Sequence, residues 1–175
     1  MPIFISHTTK DHELARDVCL YLKQTHKISC YIDDMDKELK KNRGKSSLTP
    51  LLVNRLRDCD TLLAIVTENT KGSWWVPFEI GTAREMPRVI SSFTSLPDDS
   101  SFGWLEETLP EYLLEWPRLR TWQDVDVFAE EYKKRIQLLQ EGNLKAMNLS
   151  QRLASKNNVR NFESIVMKSL GQRSY

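Results

Sequence analysis

The sequence predicts an α/β fold built on a parallel sheet. Two observations carry this: short, β-branched apolar runs alternate with amphipathic stretches, and polar turns separate them along the chain. The run PIFIS at 2–6 reads as a first strand buried on both faces. Polar residues 7–10 follow, and Asp11 is placed to cap a helix running to about Gln24, with Leu14, Val18, Tyr21 and Leu22 inward. ISCYI at 28–32 is the second strand, and a long polar loop spans 33–47. Thr49-Pro50 opens a second helix to about Arg57, as cap and first helical position. TLLAIV at 61–66 is the third strand, followed by a polar turn and a helix bearing Trp75 and Glu79. RVISSF at 88–93 is the fourth strand, 95–101 a turn-rich loop, 104–114 a short helix and 118–122 a fifth strand. Residues 124–140 form an amphipathic helix with Val127, Phe128, Tyr132, Ile136 and Leu139 inward. Right-handed crossovers place helices on both faces, and five strands suggest the flavodoxin-like order 2-1-3-4-5 in a three-layer sandwich.

Residues 1–142 are read as this domain and 143–175 as a basic helical C-terminal extension. The extension holds six Lys and Arg against one acid, Glu163, and Val159, Phe162, Val166 and Leu170 mark an apolar stripe. It is expected to pack on the edge of the sheet or to meet a partner or a second copy. Over the whole chain 25 basic residues balance 24 acidic ones, so no global field argues for nucleic acid or a membrane surface. No apolar run approaches the ~18 residues of a membrane span, and the N-terminus lacks a basic, apolar signal segment. Cys19, Cys30 and Cys59 are odd in number and lie in apolar segments, which reads as buried thiols of a cytoplasmic protein with no metal site. Phosphate-loop, HExxH and GxSxG patterns are absent.

The stretch KGSWWVPFEIGTA at 71–83 is the candidate site. Open α/β sheets present sites at the carboxyl ends of their strands, and this stretch follows the third strand. Ser73 is a suitable N-cap, and Pro77 falls in the first turn, where a missing N–H is tolerated. Trp75 and Glu79 are four apart and share a helix face. The plainer alternative for Glu79 is an exposed acid paired with Arg84 or Lys71. At least one of Trp74 and Trp75 is expected in the core.

FISHTTKD at 4–11, CYIDD at 30–34, LLAIVTENT at 62–70, SWWVPFEIGTA at 73–83 and LPEYLLEWPRLRTWQD at 109–124 together resemble a TIR (Toll/interleukin-1 receptor-like) domain. Together these segments span roughly the first three quarters of the chain, in the family's order. The Trp-x-x-x-Glu frame, with a serine before it, is similar to the bacterial NAD-cleaving branch, which includes Thoeris-type anti-phage proteins. The resemblance implies Glu79 as the catalytic acid, with Ser6, His7, Thr8, Asp34, Ser73 and Trp75 as substrate contacts. The loop from Asp34 corresponds to the family's BB loop, although its tip at 40–47, KKNRGKSS, departs from the usual Pro-Gly pattern.

The resemblance further implies a nucleosidase or cyclase that breaks the nicotinamide–ribose bond of NAD+, with NAD+ as substrate and no resident cofactor. ADP-ribose or a cyclic ADP-ribose isomer would result, acting as a signal for a separate effector, and the enzyme would work as a homo-oligomer through TIR–TIR contacts. A second reading is a non-enzymatic TIR adaptor that acts by self-association. A flavodoxin-like enzyme acting on nucleosides is a third, because the fold alone does not choose a chemistry.

Overall fold

A computed structural model describes residues 2–32, 46–86, 88–94, 109–141 and 156–172, the side chains of 139–141 excepted. Five parallel strands form one sheet in the order β2-β1-β3-β4-β5, as expected. They are β1 (Ile3–Ser6), β2 (Cys30–Ile32), β3 (Thr61–Ile65), β4 (Val89–Phe93) and β5 (Arg118–Leu119). The helices are α1 (His12–Thr25), α2 (Leu48–Asp58), α3 (Trp75–Glu85), α4 (Trp122–Glu141) and α5 (Lys156–Ser169). The chain passes from β1 outward to β2 and then returns across to β3. The topological switch point, where open α/β sheets hold their ligands, therefore lies beyond the carboxyl ends of β1 and β3.

Strand alternation divides the core into two layers. Ile3, Ile5, Leu63, Ile65, Val89 and Phe93 face α1, α4 and α5, where they meet Val18, Leu22, Phe128, Phe162 and Val166. Phe4, Leu62, Ala64, Val66 and Ile90 face the other way, onto Leu52 and Leu56 of α2 and Val76, Ile80 and Ala83 of α3. Ser6 follows Phe4 at period two and so belongs to the α3 side. This register, more than any loop, brings a β1 hydroxyl to the helix that carries Glu79.

Several local expectations shift. α2 begins at Leu48, so Pro50 is its third residue, and Ser47 makes no side-chain cap. β5 is two residues long. Of the short helix expected over 104–114, the described part is a 3-10 turn at Glu111–Glu115. In α4 the innermost residues are Val125, Phe128, Ala129 and Tyr132, with Val127 only half-buried; Leu139 lies outside the described side chains. Cys19 and Cys59 are buried but Cys30 is half-buried, and all three are free thiols. The neighbouring Cys30 thiol holds the Cys19 thiol below its ordinary value, against the opposing effect of burial.

α5 lies over a face of the sheet: Val159, Phe162 and Val166 are buried with Phe128 of α4, and the Phe128 and Phe162 rings meet edge to face at 5.9 Å. Among the described residues the segment meets the edge of the sheet through Glu163 of α5 and through Gln172 beyond it. The backbone amides of Ser92 and Thr94 donate to Pro117 and Leu119, but Ile90, two residues earlier on the same side of β4, has no β5 residue opposite it. Glu163 of α5 substitutes, its Oε1 accepting from the Ile90 amide at 3.0 Å. On the outer side of β5 the Gln172 side chain accepts from the Arg118 amide at 3.0 Å and donates to the Arg118 carbonyl. Two side chains thus complete hydrogen bonding that a longer β5 and a sixth strand would otherwise supply, which also blunts an exposed edge.

Beneath the sheet lies a buried ion pair. Arg135 Nη1 is 3.3 Å from Asp60 Oδ2, both side chains almost inaccessible. Tyr132 Oη donates to Asp60 at 3.0 Å, and Arg135 Nε donates to Asn158 at 3.0 Å. The pair ties β3, α4 and α5 together. Among the described residues no helix is long and apolar enough to cross a membrane, and no group of three or more His, Cys, Asp or Glu side chains could hold a metal ion.

Candidate active site at the carboxyl ends of β1 and β3

Glu79 lies in the second turn of α3, and its residue is only 3% exposed. That small exposure excludes the plainer alternative of a solvated surface acid. The two cations that could have paired with it are engaged elsewhere: Arg84 lies 3.5 Å from Glu115, and Lys71 lies 2.9 Å from Glu68. Instead, the hydroxyl of Ser6, at the carboxyl end of β1 and 1% exposed, donates to Glu79 Oε2. A buried carboxyl needs such partners to replace lost water, and this contact orients it.

The helix that delivers Glu79 starts as the sequence suggested, with one adjustment. Trp74 occupies the cap position without a side-chain bond, while Ser73 Oγ accepts from the Val76 amide at 3.2 Å. Ser73 therefore anchors the first turn and also lines a 140 Å³ pocket with Pro77, Lys71 and Tyr112. The expectation that Trp74 or Trp75 joins the core is overturned. Trp74 is 91% exposed and Trp75 43% exposed, because Val76, Ile80 and Ala83 already fill the inner stripe of α3. Trp75 rests edge-on against Phe78, ring centroids 5.8 Å apart, one helical turn before Glu79.

The loop after β1 supplies the opposite wall. His7 is buried, with its Nε2 3.4 Å from His12 Nδ1 at the start of α1. Thr8 is half-buried, and its hydroxyl donates to Asp11 Oδ2 at 2.9 Å. The structure thus brings Ser6, His7, Thr8, Ser73, Trp75 and Glu79 to the carboxyl end of the sheet, with Ser6 and Glu79 in direct contact. Asp34, with the loop that follows it, lies outside the described residues.

Asp11 is the residue that sequence reasoning missed. It was expected to cap α1, but its side chain makes no capping bond. It is 6% exposed, and besides Thr8 it accepts from Thr67 Oγ1 at 2.8 Å and from Asn69 Nδ2 at 2.7 Å. Nothing local signals this, since those partners lie 56 and 58 residues away.

An open α/β sheet in the order 2-1-3-4-5 with helices on both faces defines a flavodoxin-like domain, with a buried acid at its switch point. Which family of such domains this is follows from comparison: the model of the TIR domain matches residues 3–140, most of the chain, and the chain belongs to the TIR-domain family. No curated protein sequence matches it significantly.

Proposed function

We propose that this TIR domain cleaves NAD+ at the nicotinamide–ribose bond, with Glu79 as the catalytic carboxylate. One observation carries the reading: a glutamate in the Trp-x-x-x-Glu frame is held almost out of water at the switch point by the Ser6 hydroxyl. A structural surface acid has no need of that placement.

The chemistry suits the group. As nicotinamide departs with the bonding electron pair, its ring becomes neutral and positive charge develops on the ribose, as in an oxocarbenium ion. A carboxylate fixed in a poorly solvated crevice stabilises that charge more strongly than one in water, and it can hold the ribose hydroxyls in a reactive orientation. Trp75, half-exposed and one turn away, offers an aromatic face to the cationic nicotinamide ring. His7 and Thr8 would line the ribose side, Ser73 would fix the start of α3, and Asp34 would enter from the loop after β2. Water as acceptor gives ADP-ribose, and an internal acceptor gives a cyclic isomer. In this reading the protein is a cytoplasmic homo-oligomer whose product activates a separate effector, as in anti-phage defence.

The adaptor reading has its own support in the exposed Trp74 and the partly exposed Phe78, which suit a contact with another TIR domain. NAD+ consumption at high protein concentration with a crowding agent, products resolved by mass spectrometry, separates the two. Turnover in the wild type that disappears in a folded Glu79→Ala variant is the expected result. A wild type that leaves NAD+ intact under these conditions refutes the enzyme reading in favour of the adaptor.

A further inference from the structure

The Ser6–Glu79 contact joins two elements that the chain itself connects only through 73 residues of sequence. What else fixes them relative to each other can be traced bond by bond. From Glu79 the α3 helix leads back to its first turn, where the Val76 amide donates to Ser73 Oγ. The Ser73 amide donates to the Thr70 carbonyl at 2.9 Å, and Thr70 Oγ1 accepts from the Thr67 amide at 3.0 Å. Thr67 Oγ1 in turn accepts from the Asn69 amide at 3.0 Å, which leaves its proton to point at Asp11. Asp11 Oδ2 receives that proton and the one from Thr8, while Oδ1 receives the Asn69 side-chain amide. Thr8 is two residues from Ser6, and the ring closes at Glu79.

Around this ring the loops themselves are short and polar. Asp11 is the only carboxylate in it besides Glu79, and it accepts three hydrogen bonds from three residues. Bonds to an ionised acceptor are roughly twice as strong as neutral ones. Among the described residues it joins the loop after β1 directly to the loop after β3, through Thr67 and Asn69.

We propose that Asp11 is a positioning residue for the reaction: its carboxylate locks the loop after β1, through Thr8, to the loop after β3, and so helps fix Ser6 against Glu79. The inference rests on the NAD-cleavage reading above. Asp11 does not touch the reacting atoms. It sets how the two walls of the crevice stand when the ribose is between them, a geometry in which a displacement of about 1 Å can cost on the order of 100-fold in rate.

The test is steady-state NAD+ consumption by the full chain as wild type, Asp11→Asn and Asn69→Ala, with amide hydrogen exchange measured on each. Asp11→Asn keeps the shape but removes the charge, and its NH2 group must face either the two hydroxyls on Oδ2 or the Asn69 amide on Oδ1. Asn69 is exposed, so Asn69→Ala removes one bond without touching the core. The expected result is a kcat lowered by about 10- to 100-fold in Asp11→Asn and several-fold in Asn69→Ala, with KM within about threefold of wild type. Exchange at residues 8–11 and 67–70 should quicken in both. Wild-type kcat in Asp11→Asn, or a loss confined to KM, overturns the positioning role while leaving the enzyme reading intact. Should Asp11→Asn not fold, an unchanged kcat in Asn69→Ala overturns it equally. A silent wild type is a different failure: the enzyme reading falls, and this proposal with it.

Discussion

Replacing Glu163 with glutamine should make the protein more stable at neutral pH and leave it unchanged in acid. Glu163 is only 9% exposed, and burial pushes its carboxyl up from 4.5 to about 7, against the opposing pull of the Ile90 amide and of Arg135 and Arg160; Glu115 adds a weaker upward push. A carboxyl whose folded value is raised binds its proton more tightly in the folded protein than in the unfolded one. Its contribution is therefore most favourable below about pH 4.5, is lost as pH rises towards 7, and stays lost above. The interval from 4.5 to about 7 corresponds to roughly 3 kcal/mol. Glutamine keeps an acceptor for the Ile90 amide and carries no charge to desolvate. Urea unfolding of wild type and Glu163→Gln at pH 5 and pH 8 isolates this group, because other raised carboxyls such as Asp60 are common to both proteins. The variant should gain about 2–3 kcal/mol relative to wild type at pH 8 and little at pH 5. An equal difference at both pH values would refute the account of Glu163 as a carboxyl raised by burial.

Two further substitutions probe the same layer. Arg135→Met should cost roughly 3–5 kcal/mol in urea unfolding, since it leaves the Asp60 carboxylate buried without its cation, and adding Asp60→Asn should recover much of that loss. Gln172→Ala removes both side-chain bonds to Arg118 and opens the outer edge of β5. It should lower stability by about 1–2 kcal/mol and raise self-association in light scattering, whereas an unchanged scattering profile would show that this edge needs no cover.

The sheet was legible because its strands are buried on both faces, so that PIFIS and TLLAIV stand out as continuous apolar runs whatever their neighbours do. The alternation with helices then leaves few topologies, and the order 2-1-3-4-5 follows. The place of Glu79, one turn after Trp75 on a helix just after a strand, was legible locally, but its candidacy as a catalytic acid came from the family resemblance, since the residues alone favoured an exposed acid. Its burial was not, because that depends on Ser6 arriving from β1 in the right register. The tryptophans misled because hydrophobicity argued for the core while the inner stripe of α3 was already filled by smaller residues. Asp11 misled in the opposite way: an aspartate before a helix reads as a cap, and only tertiary structure shows it bonded across to another loop. The roles of Glu163 and Gln172 have no periodic signal either, since both answer a shortage of strand that exists only once β4 and β5 are paired.

In the proposed mechanism the charge of Glu79, held at the switch point, drives NAD+ cleavage. Glu79→Gln tests it most directly, because glutamine retains an oxygen for the Ser6 hydroxyl and changes little but the charge. The measurement is NAD+ turnover alongside NAD+ binding in the same folded variant. Binding should stay within a few-fold of wild type while turnover falls by about 100-fold or more, as expected for a group that acts mainly on the transition state. A glutamine variant that turns over NAD+ within a few-fold of wild type would contradict it.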